Sequence, residues 1–375
     1  MRILKVSYEF PPIGGGGARV VEGLAKELVH LGHEVDLVTM HFRGLPYYEQ
    51  IHGINVHRIP CIRMKESICR PAEMVSYLVA ALPFIRRIVR KNKYDINHTH
   101  FIFPDGVPSK IVKDSAGLPY VLTAHGSDVP GYNPNRFINL HKTLKPLWLR
   151  VVTGAEMLVS PSRSLAELIQ VHNPLSPIKI IPNGIRVADF DLSKKQLNRI
   201  LIASRFFERK GVQYFLKALD GMDLSFIVDI VGAGPHLATL KSMAEELDIR
   251  SEINFHGWMD NTTSDFHELF EKASIFVLPS ESENFPIVLL EAMAANLAII
   301  TTKGTGCEEV IGDAGLLVPV RDPDAIRSAL LKIAGKQDVI DQLGKAARER
   351  VIGEFDWSVV TNRYLDVYRS AVKYE

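Results

Sequence analysis

The sequence is poor in cysteine. Of 375 residues only Cys61, Cys69 and Cys307 are cysteines, and none forms a CxxC pair. That excludes a disulfide framework and a paired-cysteine zinc site, and it suits a reducing compartment. No apolar run reaches the roughly 18 residues of a membrane-spanning helix. The first strand is expected to begin at Arg2, which leaves no secretory leader, so a cytoplasmic location is expected. There is no short-period repeat and no low-complexity tract. Net charge is nearly absent, at +1, but it is unevenly divided: residues 1–190 carry +8 and the remainder −7. A basic half can face an anionic partner.

What is present is alternation. Short β-branched runs (Ile3–Tyr8, Val35–Met40, Val56–Ile59, Ile96–His100, Tyr120–Ala124, Met157–Ser160, Lys179–Ile181) are separated by amphipathic stretches such as Val20–Leu31 and Leu165–His172. This is the βαβ pattern of a parallel sheet covered on both faces. Asp191–Arg199 is polar and aperiodic, and reads as a linker. The alternation then restarts with Ile200–Ala203, Ser225–Val231, Ile253–His256, Ile275–Leu278, Ala298–Thr301 and Leu316–Val318. The expectation is an α/β protein of two doubly wound domains, 1–190 and 200–356, joined by 191–199. Residues 357–375 begin with a helix expected to pack back on the first domain. Ligands of such sheets lie beyond the carboxyl ends of the strands, so the cleft between the two domains is the expected site.

The loops after strands carry the chemistry. Gly14–Gly17 follow the first strand and lead into the first helix, where bare N–H groups and a helix N-terminus favour an anion. A nicotinamide site would need an acidic residue ending the second strand, which instead ends "DLVTMH"; no Lys-Ser/Thr pair follows the run, as a P-loop requires. Phosphate approach and a surface turn both remain open for the run taken alone. In the second half, "ASRFFERKGV" places Arg205 and Lys210 after a strand, cations suited to a diphosphate. "VGAGPH" repeats the glycine loop at Gly232 and Gly234. In "SESENFPIVLLEAMA", Glu283 and Glu291 are eight apart, and Glu291 lies inside an apolar helical run. A carboxylate there is costly without a partner, and a ribose diol would be one. The N–H groups of Asn284, Phe285 and Ile287 point outward from the helix start.

The ordered series of the glycine run, "HTHFIFPDG", "LTAHGSD", "IPNGI", "SRFFERKG", "VGAGP" and the E-x7-E element resembles the retaining GT-B glycosyltransferases of glycosyltransferase family four, over nearly the whole chain. The resemblance implies two Rossmann-like domains and a nucleotide-diphosphate sugar, UDP- or GDP-linked, as co-substrate, with no cofactor and no metal. By that resemblance Gly15 and Gly16 approach the donor and acceptor, and Arg205 and Lys210 hold the diphosphate. Glu291 binds the ribose. Glu283, with the N–H groups of Asn284, Phe285 and Ile287, binds the transferred sugar, and His125 sits by its reacting carbon. Gly232 and Gly234 belong to the donor side. Departures from the family pattern are Asn284 and Pro286, where glycine is frequent, Asn296 for glycine and Ala298 for proline; they bear on the sugar and base pockets.

His98 and His100 alternate onto one side of a strand, without a third ligand at metal spacing. His100 with Asp105, and Asp128 in "HGSD", are the expected acceptor-side residues. Gly14 and Gly17 are expected to give the loop mobility. Asp322-Pro323-Asp324 reads as a helix cap rather than a metal motif. Residues 61–93 carry eight basic and two acidic residues beside an apolar face. A peripheral contact with an anionic membrane and an ordinary covering helix are both open readings there. Nucleic acid is not an expected partner. The function expected is retaining, metal-independent transfer of a hexose-type sugar to a saccharide or lipid-linked hydroxyl acceptor. The alternatives are a nucleotide-sugar 2-epimerase, suggested by "GTGCEEVIGDAG", and a catalytically silent sugar-nucleotide-binding protein.

Overall fold

A computed structural model describes residues 1–66, 68–132, 138–187, 190–261 and 263–372, and for 138–141 the backbone alone. The chain divides into two compact units, Met1–Gly184 with Trp357–Glu375, and Ile185–Asp356.

In chain order the first unit has β1 (Arg2–Val6), α1 (Gly16–His30), β2 (Glu34–Met40), β3 (Tyr48–Ile51), β4 (Ile54–Ile59), α2 (Pro71–Lys91), β5 (Ile96–His100) and α3 (Gly106–Ala116). These are followed by β6 (Tyr120–Thr123), α4 (Ile138–Gly154), β7 (Met157–Ser160), α5 (Arg163–His172) and β8 (Ile178–Ile180). The sheet order is 3-4-2-1-5-6-7-8, parallel except for β3. β1, β2, β5 and β6 are buried over almost their whole length, as strands covered on both faces must be. The direction of winding reverses between β1 and β5, so the loops after these strands lie at the switch point where α/β sheets bind ligands.

The second unit runs β9 (Arg199–Ala203), α6 (Val212–Leu219), β10 (Ile227–Val231), α7 (Leu237–Glu246), β11 (Glu252–Gly257), α8 (Ser264–Lys272), β12 (Ile275–Leu278) and α9 (Ile287–Ala294). Then come β13 (Ala298–Thr302), α10 (Gly306–Ile311), β14 (Leu316–Val318), α11 (Pro323–Ile333) and α12 (Gln337–Glu354). Its all-parallel sheet has the order 11-10-9-12-13-14, and its switch point lies between β9 and β12. Asp322 caps α11, accepting from Ala325 N at 2.8 Å, with Pro323 at the first helical position, as its sequence reads.

Two expectations are corrected. β3 is absent from the sequence reading; it forms a hairpin with β4 because His52 and Gly53, both at positive φ (51° and 81°), make the tight turn that antiparallel strands prefer. The boundary is not at 191–199 but between Gly184 and Ile185. Ile185 pairs with Asp356, and Ile185, Val187 and Phe190 pack on the second unit's core. The expected linker is likewise held there: Asp191 caps a short 3-10 turn, and Gln196 N donates to Lys272 O at 2.9 Å.

The last helix, α13 (Trp357–Ala371), belongs to the first unit. Its first residue, Trp357, is 8% exposed. A Cβ built on Gly23 of α1 would lie 2.3 Å from the indole, and one on Gly184 2.4 Å from it, so the ring needs both glycines bare. Truncating such a ring leaves a void between backbones that cannot collapse onto each other. Trp357→Ala should therefore destabilise the first unit by about 3–5 kcal/mol. Urea unfolding followed by circular dichroism checks this, and a loss below about 1 kcal/mol would remove the indole as the anchor of α13.

Candidate functional site

In the second unit the loops after β9 and β12 are laced together at the switch point. Glu281 N donates to Arg209 O at 2.8 Å, and a Cβ on Gly211 (φ 75°) would lie 1.9 Å from Pro279 O. This close backbone approach brings Lys210 to Glu283. The lysine Nζ donates to Glu283 Oε1, which also accepts from Ser280 Oγ at 2.9 Å. Arg205 is exposed on the same loop as Lys210. Gly306 N, at the start of α10, donates to Glu283 O at 3.0 Å and fixes the backbone of the acidic loop.

Glu291 lies on α9, and its Oε1 accepts from Asn261 Nδ2 at 3.1 Å. Asn261, on the loop after β11, escaped the sequence reading. So did Trp258 on that loop, a tryptophan 74% exposed. Asn284 and Phe285 are buried, and Phe285 packs edge-on against Phe355 with ring centroids 5.5 Å apart. α9 begins at Ile287 after Pro286, and no side chain caps it. In its first turn Leu289 N donates to Pro286 O at 3.1 Å, and the preceding N–H groups are those a helix start offers to oxygen ligands. Asn296, where glycine is usual, sits at φ 59°, a left-handed conformation that asparagine tolerates.

Gly232 and Gly234 lie on the loop after β10. Their bare Cα atoms serve the chain itself: a Cβ would lie 1.8 Å from Ser204 O at Gly232 and 2.3 Å from Phe206 O at Gly234. The loop closes on the β9 loop through Phe206 N to Ala233 O at 2.9 Å and His236 N to Phe206 O at 3.0 Å. These glycines position Arg205 through its neighbours.

In the first unit, Gly15 is the residue before α1, without a side-chain cap, and Gly16 opens the helix, exposed. The flanking glycines, Gly14 and Gly17, sit in confined places. Gly14 has φ 103° and a Cβ there would lie 2.7 Å from Glu9; one on Gly17 would lie 2.7 Å from the Phe101 ring. Both are constrained positions, so even alanine at Gly14 would be strained.

His125 follows β6 and is held by its neighbour Asp128, whose Oδ1 accepts from His125 N at 3.0 Å and Gly126 N at 2.8 Å. Asp128 Oδ2 accepts from Ile102 N at 2.8 Å. Its carboxylate thereby organises a turn, and Asp128 also lines a pocket beside Trp148. Asp105 and His100, expected on the acceptor side, lie in the interior of the unit. Asp105 is fully buried, takes Tyr8 N on Oδ2 at 3.0 Å, and burial pushes its carboxyl well above the usual range. His100 is fully buried with both ring nitrogens occupied, Nε2 by Lys5 Nζ at 2.8 Å and Nδ1 by His125 Nε2 at 3.1 Å.

Lys5 was not among the expected site residues. It interrupts the apolar run of β1 and is 0% exposed. Its other neighbour is His98 Nδ1, at 3.2 Å. Burial pulls the lysine well below its ordinary value; burial and the nearby Lys5 charge pull His98 and His100 down and bring His125 to about 3. The three imidazoles are thus neutral at physiological pH. Beside this network an apolar pocket of about 50 Å³ is lined by Tyr8, Met74, Phe101, Phe103, Trp148 and Val151.

Residues 14–189 match the family described as Glycosyltransferase Family 4, and residues 187–350 match Glycosyl transferases group 1. The chain is 26% identical to N-acetyl-alpha-D-glucosaminyl L-malate synthase of Bacillus anthracis, over 97% of this chain and 96% of that protein. It is 29% identical to phosphatidyl-myo-inositol mannosyltransferase of Mycolicibacterium smegmatis, over 97% of this chain and 92% of that protein. In structure it is similar to sucrose-phosphate synthase of Thermosynechococcus elongatus, with a TM-score of 0.83 at 21% identity over 98% of each chain. That likeness gives the fold, two Rossmann-like units in tandem. The chain belongs to the GT-B glycosyltransferases of family four.

Proposed function

We propose that this glycosyltransferase moves a hexose-type sugar from a nucleotide-diphosphate donor to a hydroxyl acceptor, with retention of configuration and without a metal ion. The observation that carries the reading is the Lys210–Glu283 pair beside exposed Arg205 at the switch point of the second sheet. Two cations on one loop would neutralise the departing diphosphate. Glu283, already anchored by Lys210 and Ser280, would take sugar hydroxyls as donors. Glu291, held by Asn261, would accept from the ribose diol, and the α9 N-terminus would meet further oxygens. Retention follows if the acceptor oxygen attacks the anomeric carbon from the face the diphosphate leaves. The carbon–oxygen bond to phosphate breaks, the bond to the acceptor oxygen forms, and a phosphate oxygen takes the acceptor's proton. Glu283 serves as a binder of hydroxyls in this scheme, not as a nucleophile.

A lipid-linked acceptor is supported by the surface of residues 61–93 in the first unit, where Ile62, Met64, Val75 and Val79 are exposed and Arg86, Arg87, Arg90 and Lys91 are exposed near the end of α2. Among the described residues no helix is long and apolar enough to cross a membrane, so the contact would be peripheral.

Three measurements test these points. Against a panel of nucleotide-sugars with acceptor, Arg205→Ala or Lys210→Ala should cut turnover on the order of a hundredfold, the usual cost of removing one charge-stabilising donor. Near-normal turnover in either variant would remove the pair from the mechanism. Transfer should persist in excess chelator; loss restored by magnesium or manganese would reject metal independence. The protein should co-sediment with phosphatidylserine vesicles, and its partition onto them should weaken on the order of a hundredfold when Arg86, Arg87 and Arg90 are replaced by Ala, at roughly 1 kcal/mol per basic residue near the surface. Equal sedimentation with neutral vesicles would reject an electrostatic contact.

A further inference from the structure

The two cations on the loop after β9 are not equivalent. Arg205 is exposed, and among the described residues its side chain makes no ion pair and no hydrogen bond. Lys210 is already engaged. Its Nζ donates to Glu283 Oε1, and the two side chains are only 14% and 12% exposed. Charges that little water separates act strongly on each other, so the carboxylate cancels much of the lysine's field. An anion arriving at the loop meets the full charge of Arg205 and little of that of Lys210. Glu283 is also fixed where it stands. Ser280 Oγ donates to the same Oε1 at 2.9 Å, and Gly306 N donates to the Glu283 carbonyl at 3.0 Å. Its other oxygen, Oε2, takes no hydrogen bond from the described residues.

Two kinds of diphosphate can meet this arrangement. In a nucleotide-diphosphate sugar each phosphate carries one negative charge, and the sugar brings hydroxyl donors for Glu283 Oε2. An ammonium has three N–H groups, so Lys210 can then serve the carboxylate and a phosphate oxygen together. After transfer the nucleotide diphosphate ends in a phosphomonoester. The second pKa of such a group, about 6, gives it close to one further charge at neutral pH. The hydroxyls have gone with the sugar. Glu283 then faces a more charged anion with no donor between them, and competes with it for Lys210.

We propose that Glu283 is a specificity-determining residue that, by holding Lys210, makes the second unit prefer the sugar-bearing diphosphate to the free one and so hastens release of the nucleotide product. This rests on the reading of Arg205 and Lys210 as the residues that hold the diphosphate, and it gives Glu283 a part beyond contact with the sugar. A bound donor satisfies the carboxylate and the lysine at once. A bound product must take the lysine from a carboxylate that is pinned beside it.

Titration calorimetry of the wild type and Glu283→Gln with inorganic pyrophosphate, UDP, GDP and the UDP- and GDP-hexoses tests it. Glutamine keeps the shape and an acceptor oxygen while removing the charge. In Glu283→Gln, pyrophosphate and the free nucleotide diphosphate should bind on the order of tenfold tighter, the effect of one charge a few ångströms away near a protein surface. The nucleotide-sugar should gain no affinity, and product inhibition of transfer should rise. Unchanged or weaker binding of the free diphosphates, or an equal gain for the nucleotide-sugar, would overturn the proposal. In a Lys210→Met background the same substitution should gain less than about threefold, because the two residues act as a pair. A full gain there would show that Lys210 is not the group withheld, and would overturn it too. Glu283→Ala makes the same measurement if Glu283→Gln does not fold. A wild type that turns over a nucleotide-sugar, with no tightening on pyrophosphate in the variant, removes this role and leaves the transferase reading intact. Tightening on pyrophosphate in a protein that binds no nucleotide-sugar puts the fault in the transferase reading, not in the competition for Lys210.

Discussion

An amine sits in the middle of the first sheet with two imidazole nitrogens around it and, among the described residues, no carboxylate paired with it. Removing such a group from water costs several kcal/mol unless every hydrogen is used. Much of the first unit is arranged to meet that demand. β5 supplies His98 in register with Lys5 and His100 two residues on. β6 supplies Thr123 and, just beyond it, His125. α13 supplies Tyr368, and Tyr364 lies 3.4 Å from Thr123 Oγ1. A polar network this deep is tolerated only when its members satisfy one another. Its outer member, His125, lies at the edge where β1, β5 and α1 converge.

The second unit meets a different constraint. Its charged side chains Arg205, Lys210 and Glu283 stand on loops, which are soft unless something holds them. Rigidity comes from backbone packed on backbone. Gly211 against Pro279, Gly232 against Ser204, Gly234 against Phe206 and Gly306 against Asn284 each leave no space for a Cβ. Four glycines thus hold the Arg205–Lys210 loop, the Glu283 loop and the start of α10 as one piece. The glycines that look like ligand cradles in the sequence are the means by which neighbouring side chains are presented.

The tandem parallel sheets were legible because buried parallel strands are apolar on both faces, as in Ile200–Ala203 and Ile275–Leu278. Lys210 and Glu283 were each singled out, but for separate roles; that they pair was not legible, because it depends on the loops after β9 and β12 lying side by side. The hairpin strand β3 was not: Tyr48–Ile51 is half exposed, and its turn uses His52, a residue that rarely signals positive φ. His100, Asp105 and Asp128 read as acceptor-side residues because polar residues ending strands usually face ligands, with a core place also open for His100. Here tertiary partners, Lys5, Tyr8 N and Ile102 N, claim them. Lys5 itself was visible as a lone charge within "RILKVS", but without its neighbours nothing told a buried amine from an edge residue. The domain boundary was misplaced because polarity at 191–199 marks exposure, whereas the boundary is set by what Ile185 and Phe190 pack against.

The placement of α13 bears on how the protein is made. The first unit is discontinuous: its sheet is encoded before residue 185, but Trp357, Tyr364 and Tyr368 are encoded after the whole second unit. On the ribosome the second unit can complete its core as soon as residue 356 has emerged. The first unit must wait, with Gly23 and Gly184 uncovered and the lysine–histidine network lacking its tyrosines. The order of synthesis is therefore the reverse of the order of completion: the half that is translated first is the last to close.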